Sequence, residues 1–431
     1  MAKRKIIKNN LGFSPDQPLR VKVPGSKYLA NRYLVIAALC DGETQLTNVP
    51  MNDDIKASLV AIEALGAEVK VTPDIIGITG IKNYQPEKNI LINCRDSGTL
   101  SRFVTALAAT LASPVTIDAS QQMRQRPMQE IIDSLTSLQV KLESNEGYLP
   151  LQVQGPIKGG ICQLDASRSS QFLSALLIAC LKSEEDSRIQ VTGDLVSQSY
   201  VELTLAAIQK FSGQIQQPNA TEYFIPKHQD LTAPCIEVAS DVVSCSYFMA
   251  AALIAKTSIR IEAYDFDSPQ GEAQFPTVLE KMGAKVERLD EELVISYQDD
   301  LHGIDVDMGN MPDAVPTLTV IAAFAQGETR ISNIAHLAFK ESNRIVDLCE
   351  QLKKLGVNCQ YDKDSIRIYG GAKLTAADVS SCHDHRLAMS LALVGVQIPG
   401  IVIEDSQAVE KSFPQYWQYL EQIGIVTEEI Q

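Results

Sequence analysis

The sequence predicts an α+β fold with segregated layers, made of six copies of one unit arranged as two domains of three. Three observations predict it. The stretch Pro24-Gly25-Ser26-Lys27 is a Gly-Ser turn with a cation that opens a helix, and the helix becomes purely apolar over Tyr33–Leu39. Comparable starts recur at Ser97-Gly98-Thr99, Ser169-Ser170-Gln171, Asp241-Val242-Val243-Ser244, Pro312-Asp313-Ala314 and Asp384-His385-Arg386. A spacing of about 70 residues, held each time, is the mark of a repeat architecture. Second, each apolar helix leads to a short β-type segment: Thr44–Asn48, Thr116–Asp118, Arg188–Val191, Ser258–Glu262, Thr329–Asn333 and Ile401–Glu404. Third, an amphipathic helix follows and stops at Gly or a polar stand-in before another strand.

Ala57–Leu65 before Gly66, Pro276–Met282 before Gly283, Ile345–Leu355 before Gly356 and Tyr416–Ile423 before Gly424 carry that last pattern. A glycine just past the final apolar turn accepts the left-handed backbone that ends a helix. The strands are too short and too irregularly spaced for a doubly wound sheet. The polar segment Gln216–Pro234, with Pro218, Pro226 and Pro234, is the expected connection between halves. The domains are then 22–240 and 1–21 plus 241–431. The strand Pro18–Val23 is able to pair with either half, and helix starts from both halves are expected to face one cleft.

At 431 residues with 45% hydrophobic residues, the chain holds large cores and is not disordered. A formal net charge of −15 excludes a general nucleic-acid binder, which needs a basic face. Nine cysteines without a C-x-x-C pair, and no His at ligand spacing, read as reduced, mostly buried thiols of a cytoplasmic protein without a metal site. Met1–Asn10 is basic but no apolar core follows, and no apolar run is long enough to span a membrane.

Cations gather at helix starts and loops: Lys27, Arg32, Arg102, Arg124, Arg126, Lys340, Arg344, Arg386 and Lys411. One such residue alone is ordinarily a solvated charge. Recurrence at equivalent positions of the repeat points instead to anionic ligands, since a helix start favours an anion and Arg forks match carboxylate and phosphate. Lys340-Glu341-Ser342-Asn343-Arg344 reads as the opening of the fifth amphipathic helix, with Lys340 and Arg344 on one face. It is either an exposed salt-bridged turn or a carboxylate held among cations and able to exchange a proton. Asp313 is either an N-terminal charge or a base, and His385 either a cap or a proton carrier.

These residues resemble the 5-enolpyruvylshikimate-3-phosphate synthase family. The resemblance rests on Pro24-Gly25-Ser26-Lys27 with Asn31-Arg32, Ser97-Gly98-Thr99 with Arg102, Arg126-Pro127, and Ser169-Ser170-Gln171-Phe172. It continues through Pro312-Asp313-Ala314, Lys340-Glu341-Ser342 with Arg344, Asp384-His385-Arg386, and Lys411 before Phe413-Pro414, in order over nearly the whole chain. It implies an inside-out α/β barrel fold of βαβαββ units. It also implies transfer of the enolpyruvyl group of phosphoenolpyruvate to the 5-hydroxyl of shikimate 3-phosphate, with no metal or organic cofactor. The partners it implies are small anionic substrates, with no nucleic acid, no membrane and a monomeric chain.

By the same resemblance, Arg344 and Arg386 clamp the phosphoenolpyruvate carboxylate, while Lys27, Arg126, Gln171, Lys411 and the Gly98 backbone hold its phosphate. Ser169, Ser170, Gln171, Ser197 and Tyr200 hold the acceptor, with Arg32 and Tyr28 near its carboxylate and His336 at a hydroxyl. Asp313 and Lys340 address the reacting hydroxyl, Glu341 exchanges the proton at the methylene carbon, and Lys27 completes the catalytic set. The chain departs from the family pattern at Tyr28 and Ala30, where Ser is usual, at His336 and Asp96, where Asn is usual, and at Phe103, where Pro is frequent. Arg95 and Arg168 are extra cations expected to offset Asp96. These departures leave open a relative that uses another acidic acceptor, or a non-catalytic anion-binding relative.

Overall fold

A computed structural model of the chain describes residues 3–10, 19–82 and 90–430. Met1, Ala2 and Pro18 of the sequence readings lie outside the described residues. The chain divides into two compact units, one of Met1–Pro24 with Ala239–Gln431 and one of Gly25–Val238.

The unit Gly25–Val238 contains α1 (Lys27–Ala37), α2 (Asp53–Ala64), α3 (Gly98–Ala108), the single turn α4 (Gln121–Arg124), α5 (Gln129–Ser137), α6 (Gln171–Ala179) and α7 (Gln198–Lys210). The other unit contains α8 (Val242–Ile254), α9 (Phe275–Lys281), α10 (Val315–Phe324), α11 (Arg344–Lys354), α12 (His385–Ala392) and α13 (Tyr416–Gln422). The helices opened by the repeated starts are the inner ones. Every residue of α1, α8 and α12 is buried. Apart from Lys27, Asn31 and Arg32 in α1 and His385 and Arg386 in α12, these helices are mostly apolar or small with no solvent face, so the sheets and amphipathic helices lie outside them.

Among the described residues there are six four-stranded sheets of one topology. Each begins with a parallel pair and continues with two antiparallel neighbours, as in Gly160–Asp165, Ser187–Thr192, Glu222–Ile225 and Gln216–Asn219. The strand before the first inner helix of each unit is exchanged. Leu19–Lys22, which precedes α1, pairs in parallel with Ser258–Glu262, whereas Cys235–Glu237, which precedes α8, pairs in parallel with Glu43–Thr47. Arg4–Asn10 fills the third place in the last sheet, antiparallel to Ile401–Glu404 and to Ile425–Ile430.

The amphipathic helices end as the sequence predicts, with Gly66 (φ 103°), Gly283 (φ 104°), Gly356 (φ 88°) and Gly424 (φ 90°) just past the cap. In the two repeats without a glycine there, Gln139 (φ 66°) and Ser212 (φ 63°) adopt the same left-handed backbone.

Three readings need correction. The polar segment expected to connect the halves instead carries the hairpin Gln216–Asn219 and Glu222–Ile225, whose Tyr223 and Ile225 are buried. Its polar composition reflects a strand with one wet face. The cysteines are not all reduced, because Cys349 on α11 and Cys359 on the following strand form a disulfide with their Cα atoms 5.5 Å apart. Lys340 and Glu341 precede α11 rather than open it. Asn343 takes the cap position and accepts the Val346 N–H, so Lys340 and Arg344 do not share a helical face.

Candidate active site

In the unit holding α8–α13, three helix starts deliver the charged residues. Asp384 caps α12 by accepting the Arg386 N–H at 2.8 Å, which points its other oxygen at α11. There the Arg344 guanidinium lies 1% exposed, and its Nε donates to Asp384 Oδ2 at 2.7 Å. Arg344 Nη1 donates to Asp313 Oδ1 at 2.7 Å, and Nη2 to Glu341 Oε2 at 2.8 Å. Asp313 sits two residues before α10 and does not cap it. Its second oxygen faces Arg386 Nη2 at 3.4 Å, and Arg386 Nη1 donates to the Tyr247 hydroxyl at 2.7 Å. Lys411 Nζ donates to Glu341 Oε1 at 2.9 Å.

Asp313, Glu341, Arg344, Arg386 and Lys411 thus form one network with Asp384, buried except for the half-buried Glu341 and Lys411. Burial alone pulls the Arg344 proton affinity down, but the charges of Asp384, Glu341 and Asp313 push it above its usual value. Of the two readings of the Lys340–Arg344 stretch, the exposed turn fails because Arg344 is buried. His336 and Lys340 stand at the edge of this network. Burial, then the Lys340 charge, holds the His336 imidazole down to about 3, so it is neutral at any working pH. His336 Nε2 is buried with no hydrogen-bond partner. His385 does not cap α12, since the Asp384 carboxylate does.

In the unit Gly25–Val238 the residues fall into two groups. Around the α3 start, a Cβ on Gly98 would meet Arg126 Nη1 at 2.5 Å and Arg102 Nη1 at 3.2 Å. A larger residue there would push the Arg126 guanidinium off that turn. Gln171 Nε2 donates to Thr99 Oγ1 at 3.2 Å, which brings the α6 start to the same place, while its Oε1 is buried without a partner.

Around the α1 start, Lys27 Nζ pairs with Asp54 Oδ2 at 3.1 Å, and both side chains are under 10% exposed (8% and 7%). The Tyr28 ring packs edge-on against Tyr200 with centroids 5.1 Å apart, not against the apolar stripe of its own helix. Arg32 donates to Thr204 Oγ1, the Tyr28 carbonyl and the Tyr200 carbonyl at 2.8–2.9 Å. Burial, opposed only by tyrosines, lowers it to about 10. Ser169 Oγ accepts the Gln171 N–H, Ser170 stands at the α6 cap, and Ser197 holds a left-handed backbone (φ 52°) before α7.

One expected pairing is absent from these contacts, and one of the gathered cations is turned to the surface. Arg168 pairs with Glu130 at 3.1 Å rather than with Asp96, which is exposed and hydrogen-bonded by the Ser120 hydroxyl. Arg124 pairs with Asp118 on the surface. Sequence reasoning missed Asp384 as a site residue, and also Asp54, Tyr247, Thr204 and Glu272. For Asp384 the signal was present in its motif. Asp54 lay in an Asn-Asp-Asp helix start, and the others carry no local pattern.

Among the described residues, no group of three His, Cys, Asp or Glu side chains could hold a metal ion, and no helix is long and apolar enough to cross a membrane.

The family model of EPSP synthase (3-phosphoshikimate 1-carboxyvinyltransferase) matches residues 16–420. A 3-phosphoshikimate 1-carboxyvinyltransferase of Pectobacterium atrosepticum is 35% identical over 94% of this chain and 96% of its own. One of Yersinia pestis is 35% identical over 92% of this chain and 94% of its own. Among solved structures, an EPSP synthase from Acinetobacter baumannii superimposes with a TM-score of 0.82 at 24% identity, covering 100% of both chains. The enolpyruvyl transferase NikO from Streptomyces tendae gives 0.79 at 16% identity over 99% of this chain and 98% of that one. Both likenesses show the same fold, the inside-out α/β arrangement in two domains. The extent of the family match and the identity to the curated relatives together mean that the chain belongs to the EPSP synthase (3-phosphoshikimate 1-carboxyvinyltransferase) family.

Proposed function

We propose that the chain transfers the enolpyruvyl group of phosphoenolpyruvate to the 5-hydroxyl of shikimate 3-phosphate and releases phosphate. The observation that carries this reading is the network in which Asp313 and Glu341, two carboxylates suited to moving protons, share the cations Arg344, Arg386 and Lys411. Glu341 delivers a proton to the donor's methylene carbon, which makes the adjacent carbon electrophilic. Asp313 takes the proton of the acceptor hydroxyl as its oxygen attacks, giving a tetrahedral ketal. Glu341 then removes a proton from the new methyl group, and the phosphate leaves with its C–O bond broken.

Arg344 and Arg386 hold the donor carboxylate in this reading. Lys27, Arg126, Gln171, Lys411 and the Gly98 N–H hold its phosphate, and Lys27 also serves the chemistry as a charge at the leaving oxygen. Ser169, Ser170, Gln171, Ser197, Tyr200, Lys340 and the neutral His336 hold the acceptor. The chain acts as a monomer in the cytoplasm, on small anionic substrates and not on nucleic acid. Incubation with phosphoenolpyruvate and shikimate 3-phosphate, followed by mass spectrometry, tests the reading. An enolpyruvyl ether of the acceptor is expected, and phosphate release without it would refute the reading.

The donor-phosphate assignment has its own check. Arg126→Met removes a charge-assisted contact worth about 1.5–3 kcal/mol, so donor affinity should fall roughly tenfold to a hundredfold with the fold intact. Gly98→Ala should act in the same direction, because its Cβ displaces the Arg126 guanidinium. Lys27→Met should weaken donor binding too, and also lower stability by leaving Asp54 buried without its cation. Calorimetric titration with donor reads all three, and unchanged affinity in Arg126→Met would overturn the site.

One observation favours a second reading, an acidic acceptor other than shikimate 3-phosphate. Tyr28 is packed on Tyr200, and Arg32, assigned to the acceptor carboxylate, already donates to Thr204 and two carbonyl groups. Tyr28→Ser separates the readings. If shikimate 3-phosphate is the acceptor, the variant keeps or improves acceptor affinity from an ordinary wild-type rate. If it is not, the variant raises a low starting activity severalfold. Donor affinity is unchanged in both cases.

A further inference from the structure

We propose that Glu272 is a positioning residue for Asp313: its buried carboxyl group anchors the Asp313 backbone, and its charge state sets how strongly the Asp313 carboxylate takes a proton. The proposal rests on the reading of Asp313 as the proton acceptor. Glu272 lies in the short turn Gly271–Gln274 and is 0% exposed. Its Oε1 accepts the Asp313 N–H at 3.0 Å, and its Oε2 faces Gln270 Nε2 at 3.1 Å. Asp313 is therefore gripped at both ends, by Glu272 at its backbone and by Arg344 and Arg386 at its carboxylate. A backbone amide can be satisfied by any carbonyl oxygen, so a carboxyl group fully withdrawn from water for that purpose is an expensive choice unless its charge matters.

Its surroundings put that charge in the working range. Burial first, and then the Asp313 charge, push the Glu272 carboxyl up to about 7. Repulsion between like charges is mutual, so an ionised Glu272 makes Asp313 a stronger base and a neutral one makes it weaker. When Glu272 is neutral, the Gln270 amide turns so that its oxygen accepts the new O–H. Two other titratable neighbours do not change charge near neutrality. Burial pushes the Tyr264 hydroxyl and, on α8, the Cys245 thiol well above their ordinary values. Asp265 and Asp241 add negative charge around those two groups.

Glu272→Gln keeps an acceptor for the Asp313 N–H and cannot ionise. Its kcat is expected to fall about threefold to tenfold further at pH 8 than at pH 6, with KM for both substrates within about twofold of wild type. Glu272→Asp, still ionisable, should restore the pH-dependent part. A purely structural contact would give the same loss at every pH, and parallel kcat profiles for wild type and Glu272→Gln would overturn the proposal.

Two further measurements keep it decidable if turnover fails for another reason. Glu272 has a folded pKa above the unfolded carboxylate value, so its contribution to stability is complete below about pH 4.3 and is lost as pH rises through about 7. Thermal midpoints of wild type should decline over that window, and those of Glu272→Gln should decline less; parallel curves would overturn the proposal. In wild-type protein labelled with carbon-13 at glutamate carboxyls, one carboxyl should titrate near 7 and move down in Asp313→Asn; no such carboxyl would refute it. Asp313→Asn retaining turnover would overturn the base assignment instead, with the titration and the midpoints still deciding whether the two carboxyl groups are coupled.

Discussion

Glu341→Gln is expected to lose turnover by about 10²–10⁴-fold, the range a general acid–base group contributes, while both substrates still bind. The amide keeps the size of the side chain and cannot deliver a proton to carbon. Glu341 Oε2 and Oε1 now accept from Arg344 and Lys411, at 2.8 and 2.9 Å. Glutamine offers only one acceptor oxygen, so one of these two bonds is lost and the cation it served is freed toward the donor. Donor affinity should therefore stay or rise slightly as turnover falls. Stopped-flow turnover together with equilibrium donor binding reads both, and near-full turnover would move the proton transfer to another residue.

Arg344→Met is expected to cost more than binding. The side chain is 1% exposed and serves Asp313, Glu341 and Asp384, the last of which is 0% exposed. Removing the shared cation leaves Asp384 buried without its arginine, and Asp313 and Glu341 with one cation each, Arg386 and Lys411; breaking such a buried pair costs about 3–5 kcal/mol. Urea unfolding at neutral pH checks this, and an absent deficit would show that the network does not bear on stability.

Much of this was legible in the sequence because the fold is repeated. A Gly-Ser or Asp cap followed by an all-apolar run predicts an inner helix, and α1, α3, α6, α8 and α12 start where those motifs stand. Gly66, Gly283, Gly356 and Gly424 marked four helix ends because left-handed backbone there favours glycine, whereas Gln139 and Ser212 do the same without that signal. The exchange of Leu19–Lys22 and Cys235–Glu237 between sheets was not legible, since a short strand does not encode its partner. The same holds for the site. Arg344 and Arg386 stood out as charges at helix starts, and Asp313 and Glu341 as charges just before them. Glu272 and Tyr247 reach them only through tertiary packing, over sequence separations of 41 and 139 residues. Arg32 shows the converse, a cation in a good motif whose described bonds go to Thr204 and to carbonyl groups of its own unit.

In the proposed reaction the enolpyruvyl group moves by addition to carbon and loss of phosphate, not by hydrolysis at phosphorus. Phosphoenolpyruvate carrying oxygen-18 in the bridge between carbon and phosphorus tests it directly, with shikimate 3-phosphate as acceptor. The label is expected to leave entirely with the released phosphate, and the acceptor to gain an unlabelled enolpyruvyl ether. Label retained in free pyruvate, with the acceptor unchanged, would contradict it.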